Sequence, residues 1–341
     1  MFYKKKNTEH SAPFIYTSMN TVHIARLCLV LLAVQMAAMA AMQDIAGITN
    51  IFCTVLGVFS AAFLTRFFEH KKIYDIHTLL IGVLIGFFLP TDSGFMFSFA
   101  IAFISYFFSW GIFGGKGGSW INPIMLAVCI ASISKPDIFM HSIPVIQAGT
   151  SESMFSALEA AGFQHNAFDK NITPMLNSVF LHSAGVTLPE GYITLFILFP
   201  STIPACRYNI LTLIASIILF AARALPKTLA FTCLILYGML IYLFSSLPFS
   251  GAFGGGDILY AWLTGGTLFS VFFAINDCGS IPRSTIGRFF LGCIMGILCF
   301  FIAGPAPSPT SIAFAVLLSN CVSPIIEQTE IYYYKKKRDS L

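Results

Sequence analysis

The run Phe113-Gly114-Gly115-Lys116-Gly117-Gly118-Ser119-Trp120-Ile121-Asn122-Pro123 combines backbone freedom, one cation, an aromatic ring and a helix start. Glycines let backbone amides come close to a ligand, and Trp120 offers a stacking face. Proline favours the first position of a helix, whose N-terminus attracts anions and polar ring edges. The run therefore has two readings. Gly114, Gly115, Gly117, Gly118, Trp120 and Asn122 contact a ligand or a partner, or they form a tight inter-helix turn anchored by Lys116. It is not a nucleotide P-loop, because the glycine spacing and the Lys-Ser/Thr pair are missing.

A second constellation is a pair of carboxylates. Residues 87–94 read FFLPTDSG and residues 272–279 read FFAINDCG, which places Asp92 and Asp277 at matching positions. Acidic groups near membrane depth are costly and often functional, which makes the pair ion-path candidates; helix-end capping in the two turns is the alternative. Asp75 with His77 reads either as part of a proton path or as a solvated helix start. No nucleophile elbow, HExxH or strand-borne GxGxxG occurs, and none of the nine cysteines forms a CxxC. No catalytic residue and no metal site is assigned. Redox chemistry in this chain needs a membrane-held cofactor or partner subunits.

The elements that position these residues follow from composition. The 341 residues are 57% hydrophobic and 10% charged, against roughly 25% charged in soluble domains. Too few charges remain to coat a soluble surface, so the fold class is an all-α integral membrane protein in a lipid bilayer. The net charge of +4 comes from short basic clusters at the ends of apolar runs. That pattern controls topology and excludes a nucleic-acid surface. The run after Lys4-Lys5-Lys6 is long enough to span, so it reads as a retained span and not as a leader.

Eleven apolar segments are visible: 24–42, 45–65, 78–90, 95–113, 121–134, 192–206, 209–224, 229–247, 258–275, 288–304 and 311–326. Segment 192–206 is broken by Pro200 and Pro204, and irregular backbone at membrane depth must be buried in protein or line a cavity. If it re-enters, all of the 19 Lys and Arg except Lys135, Lys170 and Arg207 fall on the side of the N-terminus. If it crosses, they divide almost evenly. The positive-inside rule therefore selects re-entry, with both termini cytoplasmic. The repeat agrees, at an offset of 277 − 92 = 185 residues. An odd number of spans between the copies inverts one against the other, an arrangement that places sites between the halves.

The expected organisation is about ten transmembrane helices as two inverted five-helix repeats with a re-entrant segment between them. Residues 1–23 are a cytoplasmic N-terminus, 24–134 the first repeat, and 135–208 an extracytoplasmic loop with the re-entrant segment. Residues 209–327 are the second repeat and 328–341 a basic cytoplasmic tail.

Four stretches carry a family resemblance. They are SAPFIYTSMNT (11–21), FGGKGGSWINPIM (113–125), LTGGTLFSVFFAINDCGSIPRSTIGR (263–288) and SIAFAVLLSNCVSPIIE (311–327). Their order and spacing resemble the D-type subunit of Rnf-type ion-translocating electron transport complexes, and the related B-type subunit of the sodium-pumping NADH:quinone oxidoreductase. The compact chain is more similar to the former. The resemblance implies a bacterial inner-membrane subunit of a complex that couples electron flow between ferredoxin and NAD to Na⁺ or H⁺ movement. Its partners are the other membrane and peripheral subunits and a flavin transferase.

The resemblance also implies FMN joined by a phosphoester to a threonine in an Asp-x-x-Ser/Thr-Gly-Ala-Thr motif on the outer side. The counterpart is Leu181-His182-Ser183-Ala184-Gly185-Val186-Thr187, in which Gly185 and Thr187 match and Leu181, Ala184 and Val186 depart. A noncovalent flavin at the glycine run 114–118 is a further expectation. The family's Gly-Ser-Ile-Gly-Glu-Thr-Ser run reads Ser201-Thr202-Ile203-Pro204-Ala205-Cys206-Arg207 here, and Arg207 offers a replacement contact to a phosphate. The alternatives are a flavin-free structural subunit of the same complex and a stand-alone inverted-repeat channel or secondary transporter, because fold alone does not decide function.

Overall fold

The computed structural model describes residues 20–69, 75–113, 119–140, 167–182, 188, 191–199, 201–245, 257–275, 279–304 and 308–339. Every regular element among them is helical. Among the described residues, five helices are long and apolar enough to cross a membrane: α1 (Thr21–Ala41), α2 (Ile45–Glu69), α9 (Lys227–Ser245), α11 (Thr285–Ala303) and α12 (Pro309–Asp339). Four apolar helical stretches are shorter. These are α3 (Ile76–Phe88), α4 (Phe95–Tyr106) with its π-turn Phe107–Gly111, α5 (Pro123–Ser134) and α8 (Asn209–Ala221). Between them lie α6 (Ala167–Leu176), α7 (Tyr192–Ile197) and α10 (Ile258–Leu263).

Local chemistry fixes where the helices begin. Asp75 caps α3 by accepting the His77 N–H at 3.3 Å, and its carboxylate also lies 3.8 Å from Arg66. Asn122 caps α5 by accepting the N–H groups of Ile124 and Met125 at 3.0 and 3.3 Å, with Pro123 at the first helical position. Ser284 caps α11 through the Gly287 N–H at 2.7 Å. Each cap satisfies donors that the helix itself cannot.

Two helix ends share an uncommon feature. Gln43 after α1 (φ 58°) and Arg223 after α8 (φ 55°) are the two non-glycine residues with positive φ among the described residues. In each case the following residue's N–H bonds five residues back: Asp44 to the Met39 carbonyl at 3.0 Å, and Ala224 to the Leu219 carbonyl at 2.9 Å. Both ends are Schellman motifs, normally closed by glycine.

The helices pack closely where side chains are absent. α2 lies against α3 and α4, and a Cβ on Gly57 would run into the Phe99 carbonyl oxygen of α4. α11 lies against α9 and α12; a Cβ on Gly296 would sit 2.9 Å from the Cys233 carbonyl oxygen. Small residues of this kind let apolar helices approach without a hydrophobic driving force. The two halves of the chain meet where α5 packs on α12 and α1 on α8. Phe87 and Phe88 also contact the Phe269 ring at centroid distances of 5.4 and 5.3 Å. Large apolar side chains such as Val30, Phe52, Phe67, Ile217 and Phe301 stay exposed along the outer faces, as a lipid-facing surface requires.

The proline-broken segment does not run straight. After α7, the Phe199 N–H bonds the Arg207 carbonyl at 3.0 Å, so entry and exit of the segment lie side by side. Its tip docks on the first half, where the Thr91 N–H donates to the Thr202 carbonyl at 3.0 Å. Phe199, Ile203, Ala205 and Cys206 are buried. Irregular backbone is thus enclosed in protein.

Candidate functional site

A cavity of about 330 Å³ lies where both halves of the chain converge. The first half supplies Cys28 from α1, His77, Leu80, Ile81 and Leu84 from α3, Trp110 from the π-turn, and Pro123 and Ile124 from α5. The second half supplies Arg223 to Pro226 after α8, Phe272 to Ala274, Ile281, Arg283 and Arg288. Its walls are largely aliphatic and aromatic, and its charged lining residues are arginines. Arg223 and Arg283 are exposed, while Arg288 is half-buried and donates through Nε to the Pro282 carbonyl at 3.0 Å. Trp110 is 5% exposed, and its indole N–H has no hydrogen-bond partner. An apolar pocket with a few convergent polar groups is the usual form of a small-molecule site.

Asn122 ties this region together. Besides capping α5, its side-chain amide donates to the Ala274 carbonyl at 2.6 Å, across 152 positions of sequence. Ala274 ends the π-turn Ser270–Ala274, and such turns shift backbone register where a helix is interrupted. Asn122 therefore closes the seam between the halves beside the cavity, with both ends of its side chain occupied. Trp120 is partly exposed at 36% and meets Phe113 edge-on at 6.3 Å; it does not line the cavity. Gly114, Gly115, Gly117 and Gly118 lie outside the described residues.

Asp92 stands exposed on the 3₁₀ turn Thr91–Ser93. Asp277 lies outside the described residues. Beneath Asp92 is a buried polar cluster: the Asn50 side chain donates to the carbonyls of Pro90 and Thr91 at 3.2 and 2.8 Å and to Ser93 Oγ at 3.3 Å. This cluster holds the turn and is saturated by its own members.

Gly185 and Thr187 also lie outside the described residues, but their flank is described. Leu188, next after Thr187, is gripped on both sides by Asn177: its N–H donates to Asn177 Oδ1 at 2.8 Å, and its carbonyl accepts from Asn177 Nδ2 at 2.9 Å. Asp169 anchors the same region. It is 1% exposed and accepts hydrogen bonds from Thr173 Oγ1, Thr194 Oγ1 (2.7 Å) and the Thr194 N–H (3.2 Å). Burial pushes its carboxyl up, but hydrogen bonds from Thr173, Thr194 and the Gly191 backbone outweigh this and hold it below the usual carboxylate range.

Arg207 does not present a free cation to a phosphate. Its guanidinium binds the carboxylate of Asp44 and the carbonyl of Ser201. The groups that sequence reading passed over are Trp110, Arg223, Arg283, Arg288, Asp169 and Asn177. The arginines are visible in sequence only as charges that fix topology, and no local spacing links Arg223 to Arg283. Asn177 and Asp169 carry no motif.

The family model described as the NQR2, RnfD, RnfE family matches residues 8–335. The chain is 27% identical over 290 residues to the D-type subunit of the ion-translocating oxidoreductase complex of Buchnera aphidicola subsp. Baizongia pistaciae (strain Bp), covering 77% of this chain and 79% of that relative. It is 26% identical over 274 residues to the protein of the same description from Cellvibrio japonicus (strain Ueda107), covering 77% and 76%. A shorter match of 105 residues to the one from Ectopseudomonas mendocina (strain ymp) reaches 38%, over 30% of this chain and 29% of that relative. With five apolar helices of spanning length and a family match over nearly its whole length, this chain is a multi-pass membrane protein and belongs to the NQR2, RnfD, RnfE family.

Proposed function

We propose that the protein is the electron-relaying membrane subunit of an ion-translocating oxidoreductase complex. In this reading it carries flavin and couples ferredoxin/NAD electron transfer to Na⁺ or H⁺ movement across the bacterial inner membrane. Flavin supplies one- and two-electron transfer when bound. The observation that carries the flavin part is the cavity between the halves, apolar in its walls, with the rings of Trp110, Phe272 and Phe273 among the residues that line it. Apolar and aromatic walls of this kind fit a planar ring and exclude water. Asn122 keeps the two halves in register beside the cavity through the Ala274 carbonyl.

The topology in this reading is about ten spans in two inverted five-helix repeats, with both termini cytoplasmic. Two features support it. The first helix of each half, α1 and α8, ends in the same Schellman motif with a non-glycine residue in the left-handed position. The proline-broken segment returns on itself, with Phe199 bonded to Arg207, as re-entry demands. The cavity with its arginines then faces the cytoplasm, and Asp44, Asp92 and Arg207 face outward. Asp92 and Asp277 remain the ion-path candidates, one for each face.

A second flavin, FMN esterified to Thr187 by a flavin transferase, belongs to the same reading. Asn177 and Asp169 support it by fixing the backbone on the flanks of that threonine. The test is co-expression of the chain with its flavin transferase, followed by a denaturing gel viewed for flavin fluorescence. A fluorescent band that is lost in Thr187→Ala is the expected result. No band, beside a labelled relative, removes covalent FMN from the reading. Absence of flavin also from the native extract leaves a structural subunit.

A further inference from the structure

We propose that the end of α12 is a binding site for anionic phospholipid. Tyr332 and Tyr333 lie at headgroup level, and the basic run Lys335-Lys336-Lys337-Arg338 gathers lipid phosphates around the helix. On the topology proposed above, these lipids belong to the cytoplasmic leaflet.

The first observation is length. α12 has 31 residues, about 46 Å of helix against a hydrocarbon core of about 30 Å. Its span-forming stretch ends at Tyr333. Ser284, which caps the neighbouring span α11, donates to the Glu330 carboxylate, so residue 330 is level with the start of α11. Residues 331–339 continue as helix past that level, a further rise of about 13 Å. The headgroup layer is about 5–7 Å deep on each side. The basic run starts two residues after Tyr333, and its positions lie about 3–8 Å beyond that residue. The cations therefore fall at the depth of the lipid phosphates or just outside them.

The second observation is how the residues are distributed round the axis. Successive helix positions turn by about 100°. Ile331, Tyr332 and Tyr333 are consecutive and all exposed, and the basic positions 335–338 sweep about 300°. The helix end thus carries an apolar and aromatic collar followed by a basic one. A helix that docks on a protein concentrates its anchors on one face, three and four residues apart. A headgroup layer surrounds a helix on every side, which selects lipid over an acidic protein surface.

The third observation is charge. Residues 331–339 hold four basic residues and Asp339, a net charge of 4 − 1 = +3. Lys335 and Lys336 are exposed and, among the described residues, enter no ion pair. Tyrosine rings settle at the membrane–water boundary, and basic clusters just past a span attract acidic headgroups. Topology control counts cations alone; it requires neither helix past residue 330 nor tyrosines ahead of the run.

The experiment uses the full chain in nanodiscs of phosphatidylcholine. A small fraction of either phosphatidylglycerol or phosphatidylcholine carries the same photoreactive group at the top of one acyl chain. After irradiation, peptide mapping reads the labelling of residues 331–341 against that of α1. At low salt phosphatidylglycerol is expected to label the tail at least about fivefold more than phosphatidylcholine, the effect of one cation at an anionic surface. High salt is expected to shrink the ratio by screening. The variant Lys335→Gln/Lys336→Gln/Lys337→Gln/Arg338→Gln is expected to bring the ratio close to one, with labelling of α1 unchanged as the sign of an intact fold. Lys335→Arg/Lys336→Arg/Lys337→Arg is expected to keep it. Equal labelling by the two lipids in the unaltered chain, or a ratio that survives the glutamine variant, overturns the inference. It is also overturned if the tail takes label from neither lipid. The same holds if, in the assembled complex, a peripheral subunit shields the tail and is released by the glutamine variant, which makes the run a protein-docking site.

Discussion

Arg207, in the proline-broken segment, binds the carboxylate of Asp44, which itself caps α2 by accepting the Gly47 N–H at 3.0 Å. One ion pair thus joins the α1–α2 turn to the segment between the halves. The two side chains are only 17% and 13% exposed, so water screens them poorly. Arg207→Ala leaves Asp44 with a largely buried charge lacking its cation and removes the guanidinium bond to the Ser201 carbonyl. A loss of about 2–3 kcal/mol of stability is expected, the range for a hydrogen bond to a charged group whose partner is removed. Unfolding in detergent measures it. Asp44→Asn/Arg207→Gln, which removes both charges, is expected to recover part of the loss.

Asn122 tests the seam. Asn122→Ala removes a helix cap and the bond to the Ala274 carbonyl, a loss of about 2 kcal/mol. Asn122→Asp keeps the cap but sets a carboxylate against that carbonyl, so at neutral pH it is expected to be less stable than the alanine variant. Acidification is expected to narrow the gap, because a protonated carboxyl can donate. Thermal unfolding of both variants across pH checks the order.

Asp169 gives a pH dependence. Its folded pKa lies below the ordinary value, which is about 3.9 in an unfolded chain. Its contribution is therefore complete above about pH 4 and is lost as pH falls through the lower folded value. Hydrogen exchange of α6 and α7 is expected to rise on acidification past that point. In Asp169→Asn the same amides are expected to exchange faster already at neutral pH, with this acid response gone.

Asn177 binds the backbone of Leu188, next in sequence to Thr187, the proposed attachment residue. Asn177→Ala is expected to lower flavin fluorescence at the denaturing gel several-fold when co-expressed with the flavin transferase, with unchanged yield of folded chain. Asn177→Asp retains the acceptor for the Leu188 N–H and is expected to fall between the two. Equal labelling in all three would remove Asn177 as a positioning residue.

Gly57 tests helix approach. Gly57→Val forces α2 and α4 apart at the Phe99 carbonyl, with an expected loss of about 1–3 kcal/mol from overpacking. Unfolding in detergent, with an exposed change such as Phe52→Leu as the control, checks it.

The sequence by itself determined the solvent. So few charges and such long apolar runs leave lipid as the only environment in which the chain can bury its backbone polar groups, and helices follow from that. It also determined the helix starts at Asp75 and Asn122, because capping depends on residues two or three apart. The family was legible too, in the order of four stretches that together cover much of both halves. The shortness of α3 and α5 was legible in the brief apolar runs 78–90 and 121–134, but the stretch from Ile258 to Ala274, one apolar run in sequence, is broken at Thr264 to Gly266 and ends in a π-turn. A hydropathy pattern records apolarity but not where backbone hydrogen bonds change register. Tertiary structure alone decided which charges meet. Arg207 finds Asp44 from 163 positions away, Asn122 finds the Ala274 carbonyl from 152, and Arg223 comes to share a cavity with Arg283 and Trp110. Electrostatics and hydrogen bonding act over a few ångströms of space. Sequence separation is no guide to that distance once a chain folds back between two packed halves.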